Sequence, residues 1–124
     1  MTDEKFDFEN LKVYQKALEY VDFIYNITKT YPKYEALGLT DNFRRAAVSI
    51  CVNIAEGSGG TKPEFNRFLR ISRRSCRECV AQTEISYRQK FISEQEKEFS
   101  REYCFEISKM INGLIKSLKI GVQK

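Results

Sequence analysis

The stretch from Phe43 to Ser58, Phe-Arg-Arg-Ala-Ala-Val-Ser-Ile-Cys-Val-Asn-Ile-Ala-Glu-Gly-Ser, restricts the fold more than any other part of the chain. Phe43, Ala46, Ala47, Ile50, Cys51, Ile54 and Ala55 fall at i, i+3, i+4 and i+7, which is one face of an α-helix. Ala46, Ala47 and Ala55 are small, so a neighbouring helix backbone can approach closely. Arg45, Ser49, Asn53 and Glu56 form a polar row beside that stripe, and Val48 and Val52 add apolar surface away from it. A helix with so little solvated face belongs at the centre of a bundle or at a subunit contact. Gly57 is expected to end it, as glycine does just past a helix C-terminus.

Elsewhere the chain offers few places to turn. Two prolines and six glycines in 124 residues favour a few long helices over many short strands. The length predicts one domain, 1–124, with one core. Charged residues at 31% beside 42% hydrophobic residues describe a soluble folded protein. No apolar run approaches the ~18 residues of a membrane span. The opening Met-Thr-Asp-Glu-Lys lacks the apolar core of a signal peptide, so a cytoplasmic location is expected. In that compartment Cys51, Cys76, Cys79 and Cys104 are expected to be reduced core residues. Histidine is absent, which removes histidine-based triads, histidine-ligated zinc and the Glu-x-x-His pairs of di-iron bundles. No cofactor, metal or catalytic residue is expected, and the protein reads as non-enzymatic.

Four amphipathic segments follow from the spacing. The first, about 8–30, carries Leu11, Tyr14, Leu18, Val21 and Tyr25 and stops before Pro32. Thr40 is a plausible N-cap for the second, about 41–57. Thr61-Lys-Pro-Glu64 fits a capping box for the third, about 62–91, whose apolar face includes Phe65, Leu69, Cys76 and Thr83. Ser93-Glu-Gln-Glu96 is a second capping box and opens the fourth, about 94–119. Short links between such helices predict an all-α, antiparallel up-and-down four-helix bundle.

Charge is unevenly distributed. Residues 1–41 hold five lysines against eight Asp or Glu, whereas residues 61–92 hold eight Lys or Arg against three Glu. Arg67, Arg70, Arg74 and Arg77, with Arg73 at the edge, project opposite the core face of the third helix. A strip of this kind attracts phosphates and can bind them bidentately, but cannot by itself read sequence. Its plainer reading is a solvated face. Arg45, Ser49, Asn53 and Glu56 read as a structural polar network or subunit contact; an enzymatic role for Glu56 would need a nucleophile or metal beside it. Cys76-x-x-Cys79 sits mid-helix on the apolar face, where core packing outweighs zinc or redox chemistry. Glu94, Glu98, Glu102 and Glu106 stack like charges along the fourth helix, as a solvated face or as a contact for a basic neighbouring subunit. Gly57-Ser-Gly-Gly60 lacks the Gly-Lys-Ser/Thr of a phosphate loop and reads as a connector. Tyr31 and Tyr34 could stack on bases, but packing over the bundle end fits better.

Arg44-Arg45-Ala46-Ala47-x-Ser49-Ile50-x-x-Asn53-Ile54-Ala55-Glu56-Gly57 resembles the signature of the four-helix-bundle proteins encoded in 23S ribosomal RNA intervening sequences. The accessory variability determinant of diversity-generating retroelements is related to them. The similarity continues through Glu64-Phe65-x-Arg67-Phe68-Leu69-x-Ile71 and covers the opening Phe8-x-x-Leu11-x-Val13-Tyr14-Gln15-Lys16-Ala17. It implies a bacterial homo-oligomer, in pentameric form, that binds RNA or DNA. It also leaves room for a scaffold that docks a protein partner such as a reverse transcriptase. The chain departs from the family pattern at Arg74-Ser75 and Glu78-Cys79, and in the Ser-Gly-Gly that follows Gly57.

Overall fold

The computed structural model describes residues 5–120. A 3-10 turn, Asp7–Asn10, leads into α1 (Lys12–Thr28). A second 3-10 turn, Lys33–Glu35, precedes α2 (Leu39–Ser58), and α3 (Lys62–Arg88) and α4 (Glu94–Ile120) complete the chain. Each helix packs on its sequence neighbours, and α4 returns to α1. Among the described residues the backbones of the diagonal pairs, α1–α3 and α2–α4, do not approach closely, so the cross-section is a four-membered ring. The short links Gly59–Thr61 and Gln89–Ser93 force antiparallel neighbours, giving the expected up-and-down bundle.

Local chemistry explains most of the boundaries. Thr61 accepts from the Glu64 amide at 3.3 Å while the Glu64 carboxylate accepts from the Thr61 amide at 2.7 Å, with Pro63 in the first turn. Those bonds hold the Glu64 carboxyl below the usual carboxylate range. Ser93 and Glu96 make the same reciprocal pair at 3.0 and 2.8 Å. Three expectations need correction. The first helix is not continuous from residue 8, because Leu11 is extended (φ −70°, ψ 127°) and separates the 3-10 turn from α1. Thr40 does not cap α2; the helix begins at Leu39, two residues earlier than expected, and the Glu35 carboxylate accepts from the Leu39 amide at 3.0 Å. Gly57 does not terminate α2 either. It lies within the helix, buried, at a φ that any residue adopts. A β-carbon there would meet Phe68 Cβ at 2.5 Å and Phe65 Cδ1 at 3.1 Å, so glycine serves the close approach of α2 to α3.

The core runs the length of the ring. Phe43, Ala47, Ile50 and Ile54 from α2 meet Tyr20 and Ile24 of α1, Leu69 of α3, and Ile107 and Ile111 of α4, all fully buried or nearly so. One polar thread crosses it. Tyr20 and Ser100 share a hydrogen bond at 2.8 Å, Ser100 and Thr83 share one at 2.7 Å, and Thr83 can reach the Cys79 carbonyl at 2.8 Å. Three helices are thereby held in register around satisfied polar groups. All four cysteines are free and buried, and burial pushes the Cys51 and Cys76 thiols up to about 12.

Candidate nucleic-acid interface

The α3 arginines arise from a helix whose other face is fully committed to the core. Leu69, Ser72, Cys76, Cys79 and Thr83 are buried on one side, and Arg67, Arg70, Arg74 and Arg77 are exposed on the other. Among the described residues none of the four makes an ion pair within 4.0 Å, nor does Arg73. Arg67 instead lies with its guanidinium 4.5 Å from the Phe68 ring centre, a cation–π contact. Arg73 is half-buried and donates to the Asn112 side-chain carbonyl of α4 at 2.7 Å, so the strip leans toward α4. The basic surface is thus four exposed guanidinium groups, one of them laid on an aromatic ring, with a fifth anchored at one margin.

The α2 polar row is not brought together as a single network. Asn53 donates to the Ser49 carbonyl at 2.8 Å and to Ser49 Oγ at 3.0 Å, and Ser75 of α3 donates to Ser49 Oγ at 2.9 Å. Ser72 adds a bond to the Ile50 carbonyl at 3.0 Å. These four side chains form a polar seam between α2 and α3. Arg45 stands apart, exposed, 3.8 Å from Asp41, and Glu56 is exposed with no link to the seam. A helical period aligns the row, but only its middle faces α3.

The remaining candidates are also divided. Tyr31 is buried against Phe91 at 5.2 Å, with burial raising its phenol to about 12, whereas Tyr34 is exposed. Cys76 and Cys79 are both core residues. In the α4 acid stripe, Glu106 pairs with Lys16 of α1 at 3.0 Å, while Glu94, Glu98 and Glu102 stay exposed. Among the described residues no cluster of three or more Cys, Asp or Glu is placed to hold a metal ion. No described helix is long and apolar enough to cross a membrane. Sequence reasoning missed Arg44, which donates to Thr28 Oγ1 at 2.8 Å and covers the Tyr25 ring at 4.6 Å, closing the α1–α2 end. It also missed an apolar groove of about 300 Å³ between α1 and α2, lined by Tyr14, Leu18, Val21, Val48 and Val52. Leu18 is 42% and Val52 47% exposed there, and the off-stripe valines were the available signal.

Residues 9–113 match the family model of the 23S rRNA-intervening sequence protein. The chain belongs to that family. A solved structure of a Bacteroides thetaiotaomicron protein of unknown function, from the S23 ribosomal protein family, shares the fold with a TM-score of 0.77. It is 24% identical, and the match covers 84% of this chain and 95% of that one. No curated protein matches this member of the family. The fold likeness therefore extends over nearly all of the Bacteroides protein.

Proposed function

We propose that this member of the family is a non-enzymatic, cytoplasmic nucleic-acid-binding bundle that acts as a homo-oligomer, with structured RNA as its ligand. Arg67, Arg70, Arg73, Arg74 and Arg77 grip the phosphates. The observation that carries this reading is the α3 strip itself, four exposed guanidinium groups without an acidic partner among the described residues. Arginines left free on a rigid helix offer planar donors to phosphate oxygens, and counterion release adds to affinity. The description of the family, tied to 23S rRNA, supports RNA over DNA. Self-association uses the α1–α2 groove, where Leu18 and Val52 leave apolar surface in water. The pentameric form rests on resemblance to the family, and a ring would repeat the strip around its axis and multiply its field.

A second reading is favoured by the exposed Glu94, Glu98 and Glu102, which give α4 an acidic stripe in addition to the basic strip of α3. It is a scaffold whose charged faces dock a protein partner such as a reverse transcriptase.

Binding to a structured RNA and to duplex DNA across a salt series separates the two. The comparison protein carries Arg70, Arg74 and Arg77 changed to Gln, with light scattering on both. Tight binding that falls steeply with salt, and whose slope flattens in the variant, is the expected result. Weak binding at physiological salt that the substitutions leave unchanged refutes phosphate recognition by the strip.

A further inference from the structure

The two flanks of α4 carry opposite charge. Toward α1, Glu102 and Glu106 line a groove in which Glu106 meets Lys16 at 3.0 Å. Toward α3, a groove of about 180 Å³ is lined by Arg77, Val80, Arg101, Phe105 and Ser108. Phe105 is 65% exposed, a large apolar ring left in water between two guanidinium-bearing residues. Lys109 Nζ lies 5.5 Å from its ring centre, so a third cation stands over it. Arg101 makes no ion pair among the described residues; the nearby Glu84 is engaged by Arg88 at 3.0 Å and Lys97 at 3.9 Å. Arg77 belongs both to this groove and to the exposed α3 strip, so the two adjoin, and one turn earlier Arg73 bonds across to Asn112 of α4.

An exposed aromatic ring flanked by cations matches the two parts of a nucleotide. The ring face stacks on a base, and the guanidinium groups take the phosphates on either side. A duplex keeps its base faces covered by their neighbours, so only an unpaired base can use such a ring. The geometry points to the α3–α4 groove as a stacking site for an unpaired nucleobase, with Phe105 as the platform and Arg77 and Arg101 holding the flanking phosphates. This inference rests on the nucleic-acid reading above and adds a ligand class to it: loops and single strands rather than uniform duplex. The base stacks on the ring face that Lys109 leaves free, and the cation opposite strengthens the sandwich.

The test compares wild type with Phe105→Ala, Phe105→Trp and Arg101→Gln. The probes are a short single-stranded RNA with 2-aminopurine near its centre, the single-stranded DNA of the same sequence, and the RNA annealed as a blunt duplex. Phe105→Ala is expected to weaken single-strand binding by about tenfold, the size of one lost base–aromatic stack, and to abolish the 2-aminopurine quench. Duplex affinity and the salt slope stay unchanged in that variant, and Phe105→Trp keeps both quench and affinity. Arg101→Gln lowers the salt slope by about one. Equal losses on RNA and DNA support stacking independent of the sugar, and a loss on RNA alone supports it with a 2′-hydroxyl contact. If Phe105→Ala binds the single strand as wild type does, the stacking site is refuted while phosphate recognition by α3 stands. If wild type binds none of these probes the stacking site is refuted, and if it also fails to bind the structured RNA of the salt series the nucleic-acid reading falls with it. If Phe105→Ala changes the mass measured by light scattering and not the quench, the ring is a contact between copies and the inference is overturned.

Discussion

Replacing Gly57 by alanine sets two effects of opposite sign against each other. Within a helix, alanine is favoured over glycine by about 1 kcal/mol, because glycine loses more backbone freedom on folding. Against that, the new β-carbon would lie 2.5 Å from Phe68 Cβ. Carbon atoms rest at ~3.5–4.0 Å, so a retreat of about 1 Å is required. Phe68 Cβ is fixed to the α3 backbone, and the start of that helix must move with it. Overpacking a close helix contact costs about 1–3 kcal/mol, and a collision with an immobile atom belongs at the upper end. The net expectation is a loss of about 2 kcal/mol, or a fall of roughly 8 °C in melting temperature for a chain of this size. Gly113→Ala is the matched control. It sits in α4 with nothing within 4 Å of its added β-carbon, and should gain about 1 kcal/mol and roughly 4 °C. Phe68→Ala should not rescue Gly57→Ala, since the colliding atom remains. Thermal unfolding by circular dichroism at one fixed protein concentration reads all of these. A Gly57→Ala protein that melts at or above wild type would refute the close-approach account and leave only the mid-helix gain of alanine over glycine.

Three further perturbations test the packing. Ser93→Ala removes the cap of α4 and should cost about 1 kcal/mol in urea unfolding, whereas a change indistinguishable from zero would mean the α4 start is held by packing alone. Ser100→Ala strands the buried Tyr20 hydroxyl while Thr83 keeps the Cys79 carbonyl, so it should cost about 1–3 kcal/mol; adding Tyr20→Phe should recover part of that loss, and strict additivity would argue against the shared thread. Cys51 and Cys76 stay protonated in the fold up to about 12, but ionise near 9.0 once unfolded. The unfolded state then binds fewer protons, so stability is full below about pH 9 and declines from there toward pH 12. A urea midpoint constant from pH 8 to pH 10.5, or native thiols that react with Ellman's reagent as fast as unfolded ones, would contradict it.

How much of this was legible in the sequence depended on the range of the interaction responsible. The four-helix architecture was readable because apolar periodicity, two capping boxes and sparse prolines act locally, and each local preference agrees with the bundle. The outward projection of Arg67, Arg70, Arg74 and Arg77 follows from the same period, once Leu69, Cys76 and Thr83 are assigned to the core. What the period could not supply was the identity of the neighbour. Arg45, Ser49, Asn53 and Glu56 share a line on α2, but only Ser49 and Asn53 join the seam with Ser75, because α3 crosses that line at its middle. Gly57 looks like a terminator in sequence, and only the position of Phe68 makes it a contact. Phe105 reads as one more aromatic of an amphipathic helix; its placement between Arg77 and Arg101 exists only after α3 and α4 pack. The sequence by itself determined which faces are apolar and which are basic, since one helix suffices to display them. Tertiary structure alone decided which polar groups meet and which glycine is crowded, because those facts belong to pairs of helices distant along the chain.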